Sequence, residues 1–402
     1  MKTRSGWWPS FWTALKLGLL SFGGPTAHIG YFREEYVKKK KWLDEGSFAD
    51  LVALCQLLPG PASSQVGIAI GWLRAGWLGS IAAWLGFTLP SAAIMAAFAY
   101  AYRSVPGLAS AGWMQGLELA AKAIVASAVL GMARTLAPDR PRATLLVATA
   151  AAVLLLPYAW VQAAAIVAAG AVGWALQRRS TAAEHAQANE SAATPSPIAP
   201  TGRKTGAALL VGFGALLIGL PLAREAGALS PLFSLFESFY RAGALVFGGG
   251  HVVMPLLERE VVPNGWATPD AFAAGYAATQ AMPGPLFTFA SYLGASAYGW
   301  LGAAIATAAV FLPGYLLVLG ALPFWQSLRR TKAVAQAAYG INAAVVGLLL
   351  AALFDPLFLG AVRTPVDFAV ASSLFVFIVF WKLPPWALVA IAAATGAAVY
   401  GW

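Results

Sequence analysis

Apolar runs long enough to cross a bilayer recur along this chain, about 20 helical residues being needed to span the hydrocarbon layer. In the first half they cover residues 11–30, 77–102, 113–133, 143–157 and 159–176, and in the second half 231–253, 300–322, 334–354, 365–381 and 384–402. One more run, 207–222, stands apart from both sets. Helices satisfy their backbone polar groups internally, which lipid demands, so the pattern predicts an all-α, polytopic transmembrane helix bundle. Two shorter apolar segments, 48–72 and 272–298, are each interrupted by Pro-Gly-Pro. Proline cannot donate a helix hydrogen bond and disfavours helix at the residue before it, so each segment is expected to form a broken, re-entrant helical hairpin. Residues 177–204, with Pro195, Pro197 and Pro200 among Ser, Ala and Glu, read as a flexible linker. The chain therefore divides into residues 1–176, a linker with one extra apolar segment over 177–230, and residues 231–402.

Matching words at a fixed offset mark a duplication. Ser21-Phe22-Gly23-Gly24 faces Val246-Phe247-Gly248-Gly249 at an offset of 225, and Gln56-Leu57-Leu58-Pro59-Gly60-Pro61 faces Gln280-Ala281-Met282-Pro283-Gly284-Pro285 at 224. Gly76-Trp77-Leu78-Gly79 faces Gly299-Trp300-Leu301-Gly302 at 223. Basic residues favour cytoplasmic loops. The loops bearing Lys38 to Lys41 and Arg134, Arg140 and Arg142 are basic in the first half, whereas in the second the bias moves to the loop bearing Arg329, Arg330 and Lys332. The halves are expected to be inverted repeats, while the run 207–222 leaves the count of crossings open.

Composition narrows the class further. The 402 residues are 59% hydrophobic and 10% charged, with a mean hydropathy of +0.70, where soluble domains carry about 25% charged residues. The net charge of +10 comes from short clusters between apolar runs, which reads as a topology signal and not as a nucleic-acid face. A single cysteine, Cys55, and three scattered histidines offer neither an intrachain disulfide nor a metal-ligand spacing. No nucleophile elbow, zinc-binding helix or phosphate loop is present. A membrane enzyme or scaffold is therefore the weaker reading, and no cofactor is expected.

The candidate chemistry lies at the duplicated breaks. Gly23, Gly24 and Pro25, and their counterparts Gly248, Gly249 and Gly250, offer open backbone to a ligand or close packing to a helix. Pro59, Gly60 and Pro61, and likewise Pro283, Gly284 and Pro285, each place a half-helix N-terminus inside the protein, where its amides and dipole attract oxyanions. Paired interruptions at equivalent positions of two repeats are the best sequence pointer to a transport site, although a plain structural turn is the alternative. Gln56 and Gln280 precede the breaks. Ser63 and Gln65 follow the first break, and Leu286 and Phe287 the second, so the first is the more polar. Lys16 and Arg241 preserve a cation six residues before each Phe-Gly-Gly word, either for an anion or as side chains reaching the interface. Glu118 and Lys122, one helical turn apart, are either structural glue or part of the site. His28 and His251 lie near the glycine words without being aligned, and a packed histidine is the simpler reading.

These words, together with Arg33-Glu34-Glu35, Trp42-Leu43 and Gly340-Ile341-Asn342-Ala343-Ala344, make the chain resemble the chromate ion transporter family in its long two-domain form. The resemblance covers nearly the whole chain apart from the linker and the ends. It implies a multi-pass protein of the bacterial cytoplasmic (inner) membrane that exports chromate and confers chromate resistance. Sulfate or another oxyanion is the alternative cargo, and assembly as a homodimer stays open.

Overall fold

The computed structural model describes residues 6–22, 24–104, 111–156, 159–180, 202–228, 230–246, 253–325, 331–354, 362 and 364–401. Among them the chain is all-helical, with no strand. In chain order the helices are α1 (Trp7–Leu20), α2 (Gly24–Phe32), α3 (Glu45–Leu57), α4 (Ala62–Ser104), α5 (Gly112–Leu136), α6 (Arg140–Leu155) and α7 (Ala159–Ser180). They continue as α8 (Arg203–Glu225), α9 (Pro231–Leu245), α10 (Val253–Val261), α11 (Pro269–Ala281) and α12 (Phe289–Ala321). The last three are α13 (Lys332–Ala352), α14 (Pro365–Val379) and α15 (Pro385–Tyr400).

The first apolar run is not one helix. α1 stops at Leu20, Ser21 is extended (φ −88°, ψ 99°) and α2 begins at Gly24. Gly24 has φ +78°, a conformation glycine adopts without a Cβ penalty, and the run is thereby split into two elements. α9 likewise ends at Leu245 with Val246 extended (φ −82°, ψ 117°), so the predicted run 231–253 also stops early. Gly23, Gly248, Gly249, Gly250 and His251 lie outside the described residues.

α4 and α12 each hold a sharp reversal. Ala75 and Gly76 have φ/ψ of −143°/23° and 63°/−143°, and Tyr298 and Gly299 have −137°/30° and 63°/−152°. Both reversals need a glycine at positive φ, and the helical arms on either side fold back on one another. A Cβ at Gly71 would strike the Gly79 carbonyl, and one at Gly294 would strike the Gly302 carbonyl. The arm 77–104 is roughly 42 Å long at about 1.5 Å per residue, enough to cross a membrane.

By length and hydropathy, four described helices could cross: Ala62–Ser104, Gly112–Leu136, Arg203–Glu225 and Leu286–Phe324. α8 is the peripheral one, with only Gly206 buried and Val211, Ile218 and Leu222 at least 60% exposed. Apolar exposure of that degree suits a helix facing lipid. Elsewhere the packing is reciprocal: α1 lies against α4 and α9 against α12, while α5 packs on α15 and α13 on α7. Small residues permit the last two contacts, since a Cβ at Gly116 would meet the Ala392 carbonyl and one at Gly340 the Ala169 carbonyl.

Candidate functional site

Each Pro-Gly-Pro break is built the same way from its local sequence. Asp44 caps α3 by accepting from the Ser47 N–H, and Thr268 caps α11 by accepting from the Ala271 N–H. Both helices then end in extended residues, Leu58 (φ −86°, ψ 147°) and Met282 (φ −91°, ψ 146°). The glycines that follow have positive φ, +114° at Gly60 and +95° at Gly284.

The tips are exchanged between the halves. The Gly60 N–H donates to the Val246 carbonyl at 2.7 Å, and the Gly284 N–H donates to the Ser21 carbonyl at 2.9 Å. Each tip therefore docks on the extended residue that precedes the other half's glycine word. Each also abuts the other half's long helix. A Cβ on Gly60 would lie 3.1 Å from Gly314 Cα, and one on Gly284 would lie 2.7 Å from Ser91 Oγ. Gly314 and Ser91 both directly follow a proline, Pro313 and Pro90, within α12 and α4.

Around the first break the surroundings are polar and buried. Ser63 and Gln65 are buried in the first turn of α4. Gln65 Nε2 donates to the Pro59 carbonyl at 2.9 Å and the Gly314 carbonyl at 3.3 Å. His28 Nδ1 lies 3.2 Å from Ser63 Oγ, so the histidine is part of this cluster. Pro61 is buried, and Pro25 sits in the first turn of α2. The second break is followed by a 3-10 turn, Leu286–Thr288, whose Thr288 hydroxyl donates to the Pro285 carbonyl at 2.8 Å. Pro283 is half-buried and Pro285 buried. The two glutamines differ: Gln56 is exposed, whereas Gln280 is buried and its Nε2 has no hydrogen-bond partner.

The remaining candidates are engaged elsewhere. Lys16 Nζ pairs with Glu35 at 2.8 Å. Arg241 pairs with Glu237 at 2.6 Å and Glu260 at 2.8 Å, and Arg224 joins the same two carboxylates. Glu35 and Glu260 share the 225-residue offset that relates Lys16 to Arg241, a signal that the cations alone do not reveal. Both cations thus tie the first helix of a half to the segment after its glycine word. Glu118 and Lys122 stand 4.0 Å apart on α5, with Lys122 buried. A hollow of about 600 Å³ opens beside Pro59, lined by Trp174, Phe213, Leu245, Ala337 and Ile341 among others. Its apolar lining offers nothing to an anion.

The family model for the chromate transporter matches the chain twice, over residues 8–174 and 233–397. The chain belongs to the chromate transporter family. It is accordingly a membrane transporter and not an enzyme. Relatives include the chromate transport protein of Pseudomonas aeruginosa, 29% identical over 92% of this chain and 86% of that protein. The chromate transport protein of Cupriavidus metallidurans is 28% identical over 96% of this chain and 91% of its own length. An uncharacterized transporter of Methanocaldococcus jannaschii is 30% identical over 85% and 82%. No solved structure matches this chromate transporter family member.

Proposed function

We propose that the chain is a secondary transporter that exports chromate across the bacterial inner membrane and so confers chromate resistance. The carrying observation is the reciprocal docking of the two Pro-Gly-Pro tips, in a chain whose relatives are named for chromate transport. Half-helix N-termini at a protein interior hold oxyanions through backbone N–H groups and the helix dipole. A neutral cage of this kind suits a dianion that must also leave, because among the described residues no cation is bonded to either tip.

The two halves, residues 1–176 and 231–402, act as inverted repeats that rock about this centre, with residues 177–230 joining them. The matched reversals at Gly76 and Gly299 and the exchanged helix contacts support that arrangement. Each tip is bonded to the opposite half, so rotation of one half against the other moves both tips at once. The Pro59-Gly60-Pro61 and Pro283-Gly284-Pro285 tips border the anion. Energetically, export needs no further driving reaction: a dianion leaving an inside-negative cell gains roughly 4–5 kcal/mol per 100 mV, from about 2.3 per charge. Chromate accumulation in cells expressing the chain tests the proposal. Expression should lower cell-associated chromate and raise tolerance, with excess sulfate showing whether the site prefers one tetrahedral dianion. Unchanged accumulation at normal protein level would refute export.

A further inference from the structure

The buried polar side chains are shared unevenly between the two breaks. Ser21, His28, Ser63, Ser64, Thr88 and Ser91 are each at most 2% exposed. Direct contacts link several of them. His28 meets Ser63, its ring packs edge-on against Phe87 at 5.4 Å, and the Ser21 carbonyl lies beside it. Ser91 Oγ donates to the Thr88 carbonyl at 3.2 Å, and the Gly284 tip joins through its bond to Ser21. Yet Ser21 Oγ, His28 Nε2, Ser64 Oγ, Gln65 Oε1 and Thr88 Oγ1 make no hydrogen bond. Buried polar atoms in native proteins are almost always paired, so a concentration of orphans calls for a partner from outside the chain, water or a ligand.

At the corresponding offsets the second half carries Val246 for Ser21, Val253 for His28, Phe287 for Ser63, Phe289 for Gln65 and Phe311 for Thr88. Thr288 replaces Ser64, and its hydroxyl is already satisfied. Phe287 and Phe311 pack together at 5.8 Å, and Phe289 packs on Phe272 and Tyr292. The same backbone frame is thus polar and largely unsatisfied on one side, and on the other aromatic and filled apart from the unpartnered Gln280 Nε2 before its tip.

We infer that the oxyanion is bound by the first half alone, by the His28 ring, the Ser63, Ser64 and Thr88 hydroxyls and the first-turn amides of α4, with the second tip as a dry wall. This deepens the transport reading above and rests on it. The chemistry is consistent with the ligand: in the tautomer whose Nδ1 accepts from the Ser63 hydroxyl, the His28 ring carries its proton on Nε2 and can donate to an anion oxygen in place of the neighbouring Ser21 carbonyl. Hydroxyls, an imidazole N–H and backbone amides are donors suited to the four oxygens of a tetrahedral anion. They supply no formal charge, and Lys16 and Arg241 remain in their carboxylate pairs.

The test is equilibrium binding of labelled chromate to the full-length protein in lipid nanodiscs. Thr88→Val, which keeps the side-chain shape, and His28→Val, the residue of the other half, should each weaken binding at least tenfold. His28→Gln, which retains an N–H donor, should stay within about threefold. Phe311→Leu, at the counterpart of Thr88, should bind within twofold of the unaltered protein. Unchanged affinity in both Thr88→Val and His28→Val, or an equal loss in Phe311→Leu, would overturn the one-sided site while leaving chromate transport standing. Failure of the unaltered protein to bind chromate or sulfate would overturn the transport reading and the inference together.

Discussion

Replacing Gly60 by alanine probes the centre of the molecule with a single methyl group. Gly60 has φ +114°, and the added Cβ would lie 3.1 Å from Gly314 Cα and 3.3 Å from Gln65 Nε2. Left-handed backbone costs a residue with a Cβ about 1–2 kcal/mol, and overpacking of a tight interior typically costs ~1–3 kcal/mol more. The sum, roughly 2–5 kcal/mol, falls on the tip that donates to Val246. Gly314 is backbone within α12 and cannot swing aside as a long side chain would, so the strain should displace the tip from the opposite half. The assay is paired: thermal unfolding of the purified protein, and chromate flux at matched protein level. Gly60→Ala should unfold earlier and transport poorly. Gly131→Ala is the control, since nothing lies within 4 Å of a Cβ there, and a mid-helix Gly-to-Ala change is worth about 0.5–1 kcal/mol in favour of the helix. A Gly60→Ala protein with unaltered unfolding temperature and flux would refute the reasoning that the tip contact is tight and functional.

Other expectations follow from the same contacts. Glu237 is 1% exposed and receives both Arg224 and Arg241, so Glu237→Gln should destabilise by about 3–5 kcal/mol, as loss of one buried partner does. Lys16→Met leaves the buried Glu35 carboxylate without its cation, so it should cost about 1–3 kcal/mol, the penalty of an unsatisfied buried acceptor; thermal unfolding of the two variants ranks the losses. Gly294→Ala drives a methyl into the Gly302 carbonyl and should prevent the two arms of α12 from closing, read as loss of folded protein on size exclusion. Asp44→Ala should remove about 1 kcal/mol with the cap of α3. The Ser47 backbone N–H and hydroxyl hold the Asp44 carboxyl below its ordinary value, so this contribution is complete above the ordinary carboxylate range and fades as pH falls through the lowered one. The difference in unfolding temperature between Asp44→Ala and the unaltered protein should therefore shrink in acid.

The helical membrane class was legible because lipid leaves few alternatives to an apolar run, and the family because duplicated glycine and proline words are rare in combination. Helix ends were less so. The run 11–30 is apolar throughout, and its division at Ser21 depends on a backbone conformation at Gly24 that hydropathy does not register. The reversals at Gly76 and Gly299 fall at the boundaries between segment 48–72 and run 77–102 and between segment 272–298 and run 300–322, but only a glycine marks the fold-back itself. For the candidate site, Lys16 and Arg241 stood out as cations, while the carboxylates that hold them, Glu35 and Glu260, lie in charged segments between the apolar runs where one more charge draws no notice. The neighbourhood of His28, Thr88 and Ser63 required tertiary structure, because Thr88 lies 60 residues from His28 in the chain. The counterpart of His28 at the 225-residue offset is Val253, two residues beyond the unaligned His251.

Labelled chromate uptake into inside-out membrane vesicles, with the membrane potential imposed and then collapsed, tests the central claim most directly. The account predicts uptake above that of vesicles lacking the protein, driven by the potential and lost when it is dissipated. Uptake no greater than in empty vesicles, with the protein present and folded, would contradict it.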